Sequence, residues 1–156
     1  MSKHSIIMYT DGSARGNPGP GGYGVILMSG THRKELSQGY KHTTNNRMEL
    51  MAVIAGLEAL KKPGCDVTIY SDSQYVINSV TKGWLKKWIA TNFAGGKKNK
   101  DLWMQYDQLS KDHDIKFIWV KGHAENMYNN RCDELATEAA DGSHHTLLED
   151  EGYKPE

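Results

Sequence analysis

The chain has 156 residues, 38% hydrophobic and 24% charged, a composition that sustains one packed core and excludes a long disordered protein. Its 19 basic and 19 acidic side chains cancel, so net charge alone points to no polyanionic partner. No apolar run approaches the ~20 residues that a bilayer crossing requires. Residues 1–6 lack the apolar core of a signal peptide. Two cysteines, Cys65 and Cys132, supply neither a disulfide framework nor a clustered zinc site. The expectation is a monomer of the reducing cytoplasm with no membrane contact, folded as a single domain over residues 1–156.

In chain order, residues 5–10 read as a strand of β-branched and aromatic residues stopped by Asp11-Gly12. The Gly/Pro run over residues 16–22 is expected to hold no regular structure. Residues 23–28 read as a second strand and 34–40 as a third, more exposed one. From Asn46 the period changes to about 3.6. Leu50, Val53, Ile54, Leu57 and Leu60 form an apolar stripe that ends at Lys62-Pro63-Gly64. Residues 67–71 form a fourth strand and 73–80 a helix. A helix follows over 84–89, a Gly/Lys loop over 92–99 and an amphipathic helix over 101–111. The last strand spans 115–120 and the last helix 130–140. Three strands and then helix–strand alternation predict a mixed α/β sheet.

Charge is unevenly placed. Residues 73–100 hold six lysines (Lys82, Lys86, Lys87, Lys97, Lys98 and Lys100) and no acid, whereas residues 141–156 hold five acids and one lysine. The second segment reads as an acidic, partly flexible tail. In the first, Trp84 and Trp88 share a helix face at i and i+4, the usual spacing for packing inward. Interleaved with Lys86 and Lys87, they also suit a polyanion, and the absence of acids favours that reading. The match of residues 19–24 to the dinucleotide fingerprint G-x-G-x-x-G is discounted, because its third glycine leads into a strand rather than a helix.

Four acids stand apart. Asp11 ends the first strand and Asp72 the fourth; Glu49 and Asp133 fall near the starts of helices. Ligands collect beyond the carboxyl ends of strands in open α/β sheets. The first and fourth strands, if adjacent and parallel, open Asp11 and Asp72 into one crevice. Taken singly, each acid is an ordinary turn or helix-start residue, and the helical wheel puts Glu49 and Glu58 on opposite edges of the same stripe. Together, four converging carboxylates repel unless a cation holds them. Hard oxygen donors select Mg²⁺ or Mn²⁺ rather than zinc. His123, in a loop ten residues before Asp133, suits a mobile proton carrier.

These residues lie in runs that resemble bacterial type 1 ribonuclease H: Tyr9-Thr10-Asp11-Gly12-Ser13, the Gly/Pro run from Gly16 to Gly24, Thr43-Thr44-Asn45-Asn46-Arg47-Met48-Glu49-Leu50, Ser71-Asp72-Ser73-Gln74-Tyr75, Trp119-Val120-Lys121-Gly122-His123 and Asn129-Asn130-Arg131-Cys132-Asp133-Glu134-Leu135-Ala136. They keep the family's order and cover nearly the whole chain. The resemblance implies a ribonuclease H-like α/β fold with a five-stranded mixed sheet flanked by helices. It also implies hydrolysis of the RNA strand of RNA–DNA hybrids, leaving 5′-phosphate and 3′-hydroxyl ends.

By the same resemblance, Asp11, Glu49, Asp72 and Asp133 bind two Mg²⁺ ions, with Mn²⁺ as a substitute, and His123 assists proton transfer or product release. Asn17, Asn45 and Gln74 match hybrid-contacting positions, and Gly12 is placed with them. Thr44 and Asn17 match part of a pocket for a DNA-strand phosphate. The segment Trp84–Lys100, with Lys86, Lys87 and Trp88, matches a basic protrusion along the DNA backbone. Met28 stands where some relatives carry an arginine, the basic loop is shorter and lacks a Pro-Val step, and Glu125-Asn126-Met127 replaces a Gly-His-Pro. Of the alternatives, a non-catalytic hybrid-binding domain fits less well because all four acids and His123 are present. Another nuclease of the same fold would share the carboxylates but not the Gly-rich loop, the run from Thr43 to Glu49 and the basic segment together.

Overall fold

In the computed structural model, which describes residues 4–121, 126–142 and 146–153, the chain begins with an antiparallel meander. Strand β1 (Ser5–Ala14) pairs with β2 (Gly19–Ser29), and β2 with β3 (His32–Thr43). Helix α1 (Asn45–Glu58) then carries the chain to β4 (Asp66–Ser71), which lies parallel to β1 on its other side. Three helices follow, α2 (Gln74–Thr81), α3 (Trp84–Ala90) and α4 (Lys100–Ser110). Strand β5 (Asp114–Trp119) pairs parallel to β4, and α5 (Met127–Ala140) closes the fold. The sheet order is β3-β2-β1-β4-β5, the expected five-stranded mixed sheet flanked by helices.

Strand alternation sorts the core into two layers, since successive side chains point to opposite faces. Met8 and Val25 join Leu50, Val53, Leu57, Ile69 and the fully buried Trp103 in the larger apolar cluster, on the side of α1 and α4. Their neighbours Tyr9 and Ile26 face Cys132 and Leu135 of α5 in a smaller one. Each fully buried aliphatic side chain of this kind contributes about 1.5–3 kcal/mol relative to exposure.

Several boundaries differ from the sequence expectation. β1 does not stop at Thr10 but continues through Asp11 to Ala14, because β2 pairs with it as far as Ala14↔Gly21. The Gly/Pro run is therefore not all loop: residues 19–22 are strand. Within β2, Gly22 and Gly24 need their small size, since a Cβ on Gly24 would overlap the carbonyl of Cys132, and one on Gly22 would come within 2.6 Å of the Ala136 oxygen. Glycine lets α5 sit directly on β2. The two long helices also begin earlier than expected, α1 at Asn45 and α5 at Met127, so Glu49 and Asp133 lie in second turns. Neither first turn holds an acid, so the helix dipole does not account for the placement of these two residues.

Within the acidic tail, residues 146–153 are docked. Leu148 forms a parallel bridge with Tyr40, its amide donating to the Gly39 oxygen at 3.0 Å and its carbonyl accepting from the Lys41 amide at 2.8 Å. This covers part of the outer edge of β3, which would otherwise present unpaired backbone groups.

Candidate active site

The register of β1 and β4 brings the first two acids together. Parallel pairing runs from Ser5↔Asp66 to Tyr9↔Tyr70, and Asp11 and Asp72 each lie two residues beyond the last pair. The turn after β4 aims Asp72: Ser71 Oγ accepts from the Ser73 amide at 3.0 Å, and Ser73 Oγ caps α2 by accepting from the Val76 amide at 3.2 Å. Glu49 arrives from α1. A Cβ on Gly12 would overlap the backbone of Met48 and Glu49, so this glycine permits the second turn of α1 to close on β1. The Gly12 amide then donates to Asp11 Oδ1 at 2.9 Å and to Glu49 Oε1 at 3.2 Å.

Asp11, Glu49 and Asp72 each present a carboxylate oxygen, all within 4.8 Å of one another. Asp133 is not part of that group. It is exposed on α5, which is anchored to β1 by the Cys132 thiol donating to the Tyr9 carbonyl at 3.3 Å. Its charge nonetheless reaches Asp11 and Asp72 and raises the pKa of both. His123 lies outside the described residues.

The electrostatics are those of acids crowded together away from water. Burial, reinforced by the negative charge of Asp72, raises the Asp11 carboxyl above its ordinary range. Burial raises Glu49 well above its own, with Asp11 and Asp72 adding to it. Asp72 is raised by burial as well. Glu49 Oε2 is buried with no hydrogen-bond partner among the described residues, and such orphaned oxygens are costly and rare. A divalent cation fits this donor set: it would satisfy the orphan, neutralise the repulsion and prefer hard oxygens.

Around this centre the substrate-binding candidates fall into two groups. Thr44 is the N-cap of α1, its Oγ1 accepting from the Arg47 amide at 3.3 Å. Asn45 Oδ1 accepts from the Ala14 amide at 2.6 Å, while the Asn45 amide donates to Asn17 Oδ1 at 2.9 Å. These contacts lock the loop after β1 to the start of α1. Gln74, first residue of α2, is exposed beside Asp72 in sequence.

The second group is the basic segment, where the two tryptophans part company. Trp88 packs on Trp103 and Phe93, with ring centroids 6.1 and 6.3 Å away, and joins the core. Trp84 is more than a third exposed, with Lys82 Nζ 5.7 Å from its ring centroid. Lys86, Lys87, Lys97 and Lys98 are exposed. A groove of about 1290 Å³ joins the two groups, its lining including Asn17 and Thr44 as well as Trp88 and residues 96–100.

Sequence reasoning missed a second charged cluster beside the site. Arg47, whose side chain is 3% exposed, pairs with Asp150, 2% exposed, and with the half-exposed Asp101, both at 2.7 Å. No local pattern joins residues so far apart in the chain.

Comparison with known proteins agrees with this geometry. The RNase H family profile matches residues 3–141. A ribonuclease H of Syntrophus aciditrophicus is 54% identical over 152 residues, 95% of this chain and 86% of that one. A ribonuclease HI of Haemophilus ducreyi is 53% identical over 155 residues, 97% and 98% of the two chains. Among solved structures, LC9-RNase H1, described as a type 1 RNase H with the type 2 active-site motif, superposes with a TM-score of 0.82 at 29% identity, covering 91% of this chain and 74% of that one. LC11-RNase H1, solved in complex with an RNA/DNA hybrid, gives 0.64 at 27% identity, covering 88% and 98%. With its glycine-gated acid centre on a five-stranded mixed sheet, the chain belongs to the ribonuclease H family, as an endonuclease of type 1.

Proposed function

We propose that Asp11, Glu49, Asp72 and Asp133 hold two Mg²⁺ ions, replaceable by Mn²⁺, and that the centre hydrolyses the RNA strand of RNA–DNA hybrids. The observation that carries this reading is the trio of carboxylates within 4.8 Å around an orphaned Glu49 oxygen. When bound, the metal supplies an activated water and stabilises charge on the leaving oxygen. The products are a 5′-phosphate and a 3′-hydroxyl, because the bond broken is between phosphorus and the 3′ oxygen.

The chain's own side chains orient the substrate. Gly12, bonded to Asp11 and Glu49, together with Asn17, Asn45 and Gln74 suits contacts to the hybrid, including the ribose 2′-hydroxyls that tell RNA from DNA. Thr44 and Asn17 grip a DNA-strand phosphate at one side of the groove. Trp84, Lys86, Lys87 and Trp88 extend that grip along the backbone through charge and ring surface. His123 carries a proton to or from the cleavage site. The protein acts as a monomer in the cytoplasm.

A gel assay tests this reading directly. Labelled RNA–DNA hybrid, duplex RNA, single-stranded RNA and duplex DNA are incubated with and without Mg²⁺. Cleavage is expected of the hybrid's RNA strand alone and only with the metal. Binding of the hybrid without any cleavage would favour a non-catalytic module and overturn the proposal.

A further inference from the structure

We propose that Gly152 and Tyr153, at the end of the docked C-terminal segment, are a built wall of the substrate groove, with Tyr153 a contact for the sugar–phosphate backbone and the Arg47 cluster the device that fixes them there. The proposal rests on the reading that the groove receives the hybrid. Gly152 and Tyr153 line the groove together with Thr44, Asn17 and residues 96–100 of the basic loop. Their position is set by a single guanidinium. Arg47 Nε and Nη2 donate to the two oxygens of Asp150 at 2.7 and 2.9 Å. Its Nη1 and Nη2 donate to Asp101 at 2.9 and 2.7 Å, and Nη1 also reaches Asn99 Oδ1 at 3.2 Å. Asp150 accepts further from Thr43 Oγ1 at 2.6 Å.

Those bonds employ all five N–H donors of the guanidinium, so Arg47 lines the groove without a donor left for a phosphate. Its role is to join three pieces: the tail, the start of α1 that carries Thr44 and Asn45, and the start of α4, where the basic loop ends. The tail must pass directly over this knot. A Cβ on Gly152 would overlap Asp101 Oδ2 and come within 2.6 Å of Arg47 Nη2, so only glycine allows the approach.

The tail's acidity does not oppose a polyanion here. Asp150 is buried against Arg47, Glu149 pairs with Lys41 at 3.3 Å, and Glu149 and Glu151 line a neighbouring cavity of about 350 Å³ rather than the groove. What the groove meets is Gly152 and the Tyr153 ring, set edge-on to His42 with centroids 5.4 Å apart. A tyrosine in that place offers a hydroxyl to a phosphate oxygen and a flat face to a sugar, which are contacts that position nucleic acid without reading its sequence.

The test compares the full-length wild type with Tyr153→Ala, Gly152→Ala and, as a reference for the basic loop, a Lys97→Ala/Lys98→Ala double variant. Steady-state cleavage of a fixed hybrid gives KM and kcat across a salt series, and melting gives stability. Tyr153→Ala is expected to raise KM about tenfold, the usual size of one lost charge-assisted hydrogen bond, with kcat within twofold and an unchanged melting temperature. Gly152→Ala should raise KM likewise while also lowering the melting temperature. An unchanged KM for Tyr153→Ala, with the lysine variant weakened, overturns the wall and leaves the groove reading standing. Unchanged KM in both overturns the groove reading and the wall with it.

Discussion

Two acid clusters flank the start of α1, and their electrostatics run in opposite directions. At one, Asp11, Glu49 and Asp72 face one another: burial raises all three carboxyls, the charge of Asp72 adds to the rise at Asp11 and those of Asp11 and Asp72 to the rise at Glu49, and one oxygen is left orphaned. At the other, Asp101 and Asp150 share the Arg47 guanidinium. Burial alone would raise Asp101, but its hydrogen bonds and charge contact with Arg47 outweigh that and hold it below the usual carboxylate range. Both clusters hang on α1 residues only two apart. The difference teaches that a carboxylate is structural where the chain supplies its cation and functional where the cation must come from outside.

The contrast breaks first at the active centre. Asp11→Asn or Asp72→Asn removes a charge with little change of volume, so hybrid cleavage should fall by several orders of magnitude while the fold persists. In metal-free buffer the melting temperature should rise, because repulsion is relieved. Retention of more than a tenth of wild-type activity by either variant would remove these acids from the metal centre.

At the second cluster the same logic predicts the reverse. Arg47→Met strands the buried Asp150 carboxylate, and breaking such a pair costs about 3–5 kcal/mol. Urea unfolding at neutral pH measures it. A loss below about 1 kcal/mol, the level of an exposed ion pair, would mean that the two clusters do not differ as described.

The smallest effect sharpens the comparison through pH. Because the folded state holds Asp101 below its unfolded pKa, its stabilisation is fully present above about pH 4 and is lost as pH falls through the lowered value. Asp101→Asn should therefore be less stable than wild type at pH 7, with the gap closing in acid. Since that side chain is half exposed, the gap is modest. A gap that widens below pH 4 would contradict the assigned direction.

Much of this was legible in the sequence because it is local. Apolar period located five strands and five helices, turn residues punctuated them, and spacing placed Asp72 just past a strand, whereas Asp11 lies inside β1, two residues beyond its last pair with β4. Boundaries were misjudged where pairing overrode composition. The Gly/Pro run holds strand because β1 and β3 flank it and α5 needs its bare backbone. Glu49 lies a turn further from the helix start than its sequence suggests, and the helical wheel does not separate it from Glu58. The fold does: Glu49 is buried against Gly12, and Glu58 is exposed.

The sequence by itself determined the mixed α/β sheet, the identity of the acids and the basic character of residues 82–100, since each is written in residue type and short-range spacing. Only the tertiary structure decided which acids lie within 4.8 Å, that Trp88 packs inward while Trp84 is exposed, and that Arg47 gathers Asp101 and Asp150 from 54 and 103 residues away. Those relations depend on strand register and on helices resting against glycine, and neither leaves a local pattern in the chain.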